Sequence, residues 1–228
     1  MYAADFKQKA RTALQGKWAV AVLTALVAAI LGAEGFPFMM RVRINLDPHQ
    51  PLILYSQLSS LQQGVIALSI TLSIVGFFLS GVTEVGYCQF QLNLLSGKPA
   101  QPDDLFSQFR RFGTCFCLYL MRLLFIFLWS LLFFIPGIIA AYRYAMAPYI
   151  LAENPSYTAS EAIYYSKRMM HGYKARLFCL ELSFLGWKIL SAFTFGVANL
   201  WINPYVSVSR AAFYRWLSQE ASEFTSPA

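Results

Sequence analysis

Five ionisable side chains lie inside long apolar runs, where a charge is hardest to keep: Glu84, Arg122, Arg143, Glu181 and Lys188. A charge deep in a hydrocarbon layer costs several kcal/mol unless it is paired or wetted. Residues placed this way either pass protons or a charged substrate along a path, or form ion pairs that fix helix register. The pattern alone favours the second use. A helical rise of about 1.5 Å per residue puts Glu84 about 16 Å from Leu95, Arg122 about 14 Å beyond Gly113, Arg143 about 14 Å before Ala152, and Glu181 about 6 Å beyond Leu177. The matching depths predict that Glu84 faces Arg122. The long guanidinium stem predicts that Arg143 reaches Glu181.

Other chemistry is thinly provided for. The sequence holds no HExxH, no GxSxG and no visible nucleophile–base pair. Asp103-Asp104 is an acidic doublet better suited to starting a short helix than to catalysis. His49 and His171 lack ligand-like neighbours. Cys88, Cys115, Cys117 and Cys179 lie in or beside apolar stretches and read as small buried hydrophobes. The chain is therefore expected to be non-enzymatic, with no metal and no other cofactor.

The elements that must carry these residues are apolar. Of 228 residues, 57% are hydrophobic and 13% charged, against about 45–50% and about 25% in soluble domains. About 17–25 residues cross a hydrocarbon layer about 30 Å thick. Six runs serve as spans, over about 18–33, 64–95, 113–134, 138–152, 177–193 and 197–217, which predicts a single all-α polytopic bundle over 1–228. The first run reads as an uncleaved span, because no convincing small-residue cleavage site follows it. Pro136-Gly137 is a poor helix continuation and a good hairpin turn. Pro148 is expected to kink the fourth span and free a carbonyl that needs a partner. Asn203-Pro204 interrupts the sixth, as a kink or as an unwound binding segment of transporter type.

Basic residues set the expected orientation. With both termini cytoplasmic, Lys7, Lys9, Arg11, Lys17, Lys98, Arg110, Arg111, Lys167, Arg168, Lys174, Arg176, Arg210 and Arg215 gather on the inner side, while only Arg41 and Arg43 fall outside. The net charge of +7 is thus spread over the ends of apolar runs. That excludes a nucleic-acid patch and points to anionic lipid headgroups, with a membrane protein as a further expected partner. Trp18 and Trp216 suit an inner aromatic belt, Trp129 and Trp201 an outer one, and Trp187 reads as packing.

Three basic segments, about 4–15, 103–112 and 158–171, are predicted to be interfacial amphipathic helices. The third opens on a capping box from Thr158 to Glu161 and stops at Gly172; the first stops at Gly16 and the second at Gly113. Arg11-x-x-Leu14-x-Gly16 matches Lys167-x-x-Met170-x-Gly172. The implied repeat is an interfacial helix, a span out and a span back, used three times. Ala21/Ala25/Ala29/Ala33, Ser69/Ser73 and Gly76/Ser80 are expected to be close-packing faces.

"LFFIPGIIAAYRYAMAPYILAENP", "EAIYYSKRMMHGYKARLFCLELSFLGW", "WINPY" and the N-terminal "ARTALQGKW" together resemble a bacterial integral-membrane family known as a domain of unknown function. The resemblance implies six spans in the cytoplasmic membrane and a distant kinship with the membrane domain of some glycerophosphodiester phosphodiesterases. It brings no catalytic residues. The expected function is that of a non-enzymatic multi-pass protein that binds a partner or organises lipid. The alternative is a small transporter or channel using the Glu/Arg/Lys groups.

Overall fold

The structure is a computed structural model that describes residues 3–31, 60–194 and 197–225. Arg41, Arg43, His49 and most of the expected outer segment lie outside the described residues, as does part of the turn after Thr194. Among the described residues every regular element is a helix. The α-helices are α1 (Ala3–Leu14), α2 (Trp18–Ile30), α3 (Ser60–Leu95), α4 (Phe112–Leu132), α5 (Phe134–Arg143), α6 (Ala147–Glu153), α7 (Ala159–Met169), α8 (Lys174–Leu182), α9 (Leu185–Phe193) and α10 (Asn199–Thr225). Two 3-10 segments, Pro102–Phe106 and Phe109–Arg111, precede α4. They replace the single helix expected over 103–112, and Gly113 falls inside α4 rather than ending a helix.

The hairpin after α4 turns one step earlier than expected. Phe133 is extended (φ −159°, ψ 150°), and Pro136 and Gly137 already belong to α5. A proline in the first turn loses no helical hydrogen bond, so the turn needs only one extended residue. Gly137 lies against Ser130, where a Cβ would overlap the serine. The Phe125 and Tyr144 rings are 5.8 Å apart, so α4 and α5 run antiparallel.

Two expected spans are each two helices. The fourth breaks over Tyr144–Met146, and Pro148 starts α6 instead of kinking a continuous helix. The carbonyl this frees, on Arg143, accepts a 2.9 Å hydrogen bond from Ser166 Oγ of α7. The fifth breaks at Ser183–Phe184. There Lys7 Nζ of α1 donates to the Ser183 carbonyl at 2.9 Å and lies 4.2 Å from the Phe184 ring centroid. Each break is sealed by a polar side chain from an amphipathic helix. In contrast, α10 runs unbroken through Asn203 and Pro204, so that segment is not unwound.

The repeat is a closed ring. Its units are α1–α2–α3, the 3-10 segments with α4–α5–α6, and α7–α8–α9–α10. The amphipathic part of each unit packs on the return helix of the preceding one: the 3-10 segment Pro102–Phe106 on α3, α7 on α6, and α1 on α10. The outgoing helices do the same, α4 on α3, α8 on α5 and α2 on α10. Gly16 and Gly172 have φ of 74° and 83°, and Leu14 and Met170 just before them are fully buried. The shared motif therefore makes the same turn twice.

Packing is dense at one end and sparse at the other. Buried side chains concentrate from Ser80 to Leu94 on α3, from Cys115 to Tyr119 on α4, from Ala140 through α6, and from Ile202 to Leu217 on α10. Large apolar side chains stand exposed on the first half of α3, the second half of α4, α5, α9 and the start of α10. Of the expected small-residue faces, Ala21, Ala25 and Ser80 are buried, Ala29, Ser73 and Gly76 are only half-buried, and Ala33 lies outside the described residues. Cys88 and Cys115 are buried as expected; Cys117 and Cys179 are exposed, and all four thiols are free. Trp187 is also exposed rather than packed.

Candidate functional site

Gly81 on α3 sets the approach of α4. A Cβ there would stand 2.9 Å from the Cys115 carbonyl oxygen and 3.0 Å from Tyr119 Cβ, so only glycine admits α4 at this distance. That approach brings Arg122 to Glu84. Arg122 Nη2 donates to both carboxylate oxygens at 2.6 Å, with the two side chains 18% and 20% exposed. The predicted meeting of Glu84 and Arg122 is present.

The second predicted meeting is not. Glu181 takes Arg210 Nη2 on Oε1 and the Tyr142 hydroxyl on Oε2, each at 2.6 Å. Arg143 ends α5, and its neighbour Tyr142 faces α8 in its place. One residue turns a helical side chain by about 100°, so the depth was right and the azimuth was not. Arg210 escaped notice because ending the last span at Leu217 put it at the rim, while α10 continues to Thr225. Lys188 is exposed on α9 beside Trp187 and Ile189 and joins neither pair.

Ala25 and Glu181 stand at the same interval after the turn glycines Gly16 and Gly172. Glu84, Tyr142 and Ser207 stand at the same interval before Gln91, Tyr149 and Tyr214. The last three converge where α3, α6 and α10 meet: Tyr149 donates to Gln91 Oε1 at 2.8 Å and stacks on Tyr214 with centroids 5.4 Å apart. Tyr87 and Ser207 share a 2.9 Å hydrogen bond nearby. Tyr214 and Arg215 both donate to Glu153, at 2.6 and 2.8 Å, and Arg215 also reaches Ser96 Oγ at 2.8 Å. No sequence signal flagged the tyrosines, since a tyrosine in an apolar run looks like any aromatic core residue.

Toward the expected interfacial side, the capping box is in place. Thr158 N–H and hydroxyl both donate to Glu161 Oε2 at 2.8 Å, and Glu161 N–H returns a bond to Thr158 Oγ1 at 3.3 Å. These bonds hold the Glu161 carboxyl below the usual carboxylate range. Burial pulls the Lys7 ammonium below its ordinary value. The hydrogen bond to Glu220 pushes the Tyr173 hydroxyl up. Among the described residues, no three His, Cys, Asp or Glu side chains gather as a metal site would need.

Two helical stretches are long and apolar enough to cross a membrane, Ile70–Leu95 and Pro102–Leu132, and a third counts if the pair Ala3–Leu14 and Trp18–Ala29, bent by 104°, is taken as one. Residues 131–221 match the family described as Protein of unknown function (DUF975). The matched stretch includes Glu181, Arg210 and both broken helices but neither Glu84 nor Arg122. No curated protein and no solved structure matches the chain.

Proposed function

We propose that the chain is a non-enzymatic protein of the bacterial cytoplasmic membrane. It crosses the bilayer six times, as α2, α3, α4, α5–α6, α8–α9 and α10, with both termini inside. Its amphipathic segments bind anionic lipid and present a surface to a membrane partner. This layout is also what a distant kinship with the membrane domain of glycerophosphodiester phosphodiesterases implies.

One observation carries the reading. Apolar side chains from five helices stand exposed over the sparsely packed end, with Phe133 at 70% and Phe193 at 78% exposure. Each such side chain held in water forgoes roughly 1.5–3 kcal/mol of burial, and soluble monomers rarely show large apolar patches. Hydrocarbon solvates that surface without further folding. The transport alternative gains no such support: Glu84 is bonded to Arg122 and Glu181 to Arg210 and Tyr142, while Arg143 ends α5 and Lys188 is exposed on α9. A paired, neutral set fixes register more readily than it carries ions.

Cysteine labelling tests the topology. In a background with the native cysteines replaced, Lys98→Cys and Ser156→Cys should resist an impermeant maleimide in intact cells and react after lysis. Reaction in intact cells would overturn the orientation, and recovery of the protein in the soluble fraction would overturn the membrane assignment.

A further inference from the structure

An open cleft of about 530 Å³ lies between the start of α4 and the loop leading into α7. Arg111, Thr114, Ser156, Thr158 and Ser160 supply its polar lining. Arg111 is pinned there by its Nη2, which donates to the Tyr157 carbonyl at 2.9 Å. Its other terminal nitrogen, Nη1, is buried and has no hydrogen-bond partner among the described residues. A buried guanidinium N–H left unmatched loses its hydration without compensation. Among the described residues no carboxylate lines the cleft, and the nearby Glu161 is engaged by Thr158. The cleft therefore offers a fixed positive charge and the hydroxyls of Thr114 and Ser156 to an anion.

One side of the cleft is apolar and leads away from it. Gly113 and Cys117 line it, and Leu120, Leu124 and Leu128 continue the same exposed face of α4 at helical spacing. A polar, positively charged head with an apolar stripe running from it has the shape of a phospholipid. We infer that this cleft binds the phosphate of an anionic phospholipid, with an acyl chain laid along α4 from Cys117 to Leu128. The inference rests on the membrane reading above and names one site for the lipid that reading calls for. The stripe separates a lipid from a free phosphate, which has nothing to place on it.

The test uses the full chain in nanodiscs doped with a phosphatidylglycerol bearing a photoreactive group on its acyl chain, with crosslinks mapped by mass spectrometry. Label should concentrate on residues 113–128. Arg111→Gln should lower it about ten-fold, the loss expected for one charge-assisted hydrogen bond, while Arg110→Gln, altering the exposed neighbour, leaves it unchanged. Ser156→Glu, which keeps the Arg111 tether but puts a negative charge in the cleft, should also lower it. Excess soluble glycerol phosphate should not compete. Labelling of Arg111→Gln and Ser156→Glu at the wild-type level, or label spread evenly over the exposed helices, overturns the site and leaves the membrane reading standing. Competition by glycerol phosphate replaces the lipid with a small anion, and failure to enter nanodiscs overturns both readings.

Discussion

Glu84 and Arg122 make the pair on which the largest single-residue effect is expected. Removing either partner strands a charge between α3 and α4, and breaking a buried pair typically costs about 3–5 kcal/mol. Glu84→Ala and Arg122→Ala should each lower thermal stability in detergent accordingly, while the exchange Glu84→Arg with Arg122→Glu recovers most of the loss. An exchange as unstable as the single variants would show that the contact carries no energy. This pair was legible because both residues sit in unbroken helices, where rise converts sequence position into depth. Arg143 was misread because rise gives depth and not azimuth, and Tyr142 is the residue that faces Glu181. At Glu161 the sign of the pH dependence is set by the lowered folded-state pKa. Its contribution is fully present above the unfolded value and is lost as pH falls through the folded one. Protection of the α7 amides, corrected for the slower intrinsic exchange in acid, should therefore fall on acidification, and Thr158→Ala, costing about 1 kcal/mol, should reduce that response while the residue-158 N–H still donates to Glu161. An unchanged pH profile in Thr158→Ala would contradict the role of the cap.

Glycines decide how closely the elements meet, and they separate into two groups. A Cβ on Gly86 or Gly137 would overlap the Leu105 backbone or Ser130, whereas Gly76 has nothing within 4 Å. Gly86→Ala and Gly137→Ala should each destabilise by about 1–3 kcal/mol, as overpacked sites do. Gly76→Ala should be neutral or slightly stabilising, by up to about 1 kcal/mol; melting curves of the three variants would show it, and equal shifts would refute the packing account. At this scale the stops at Gly16 and Gly172 and the capping box were readable, since each is a local signal. The 3-10 segments and the two helix breaks were not. Their shape depends on tertiary partners, namely Gly86 under Leu105, Ser166 at Arg143 and Lys7 at Ser183, which no local pattern reveals.

The molecule as a whole is a ring of three units with a tight end and an open apolar end. Sequence suggested the unit; it could not show the closure, in which α1 and α2 pack back on α10, because that contact joins the most distant parts of the chain. The central claim is that the open end is solvated by lipid. Spin labels at Leu72, Leu128 and Phe193, with the protein reconstituted in bilayers, measure it directly through the collision rates of oxygen and of a water-soluble nickel chelate. Lipid solvation predicts high oxygen and low nickel accessibility at all three positions, with the reverse at Ser156. High nickel accessibility at Leu128 and Phe193 would contradict the account.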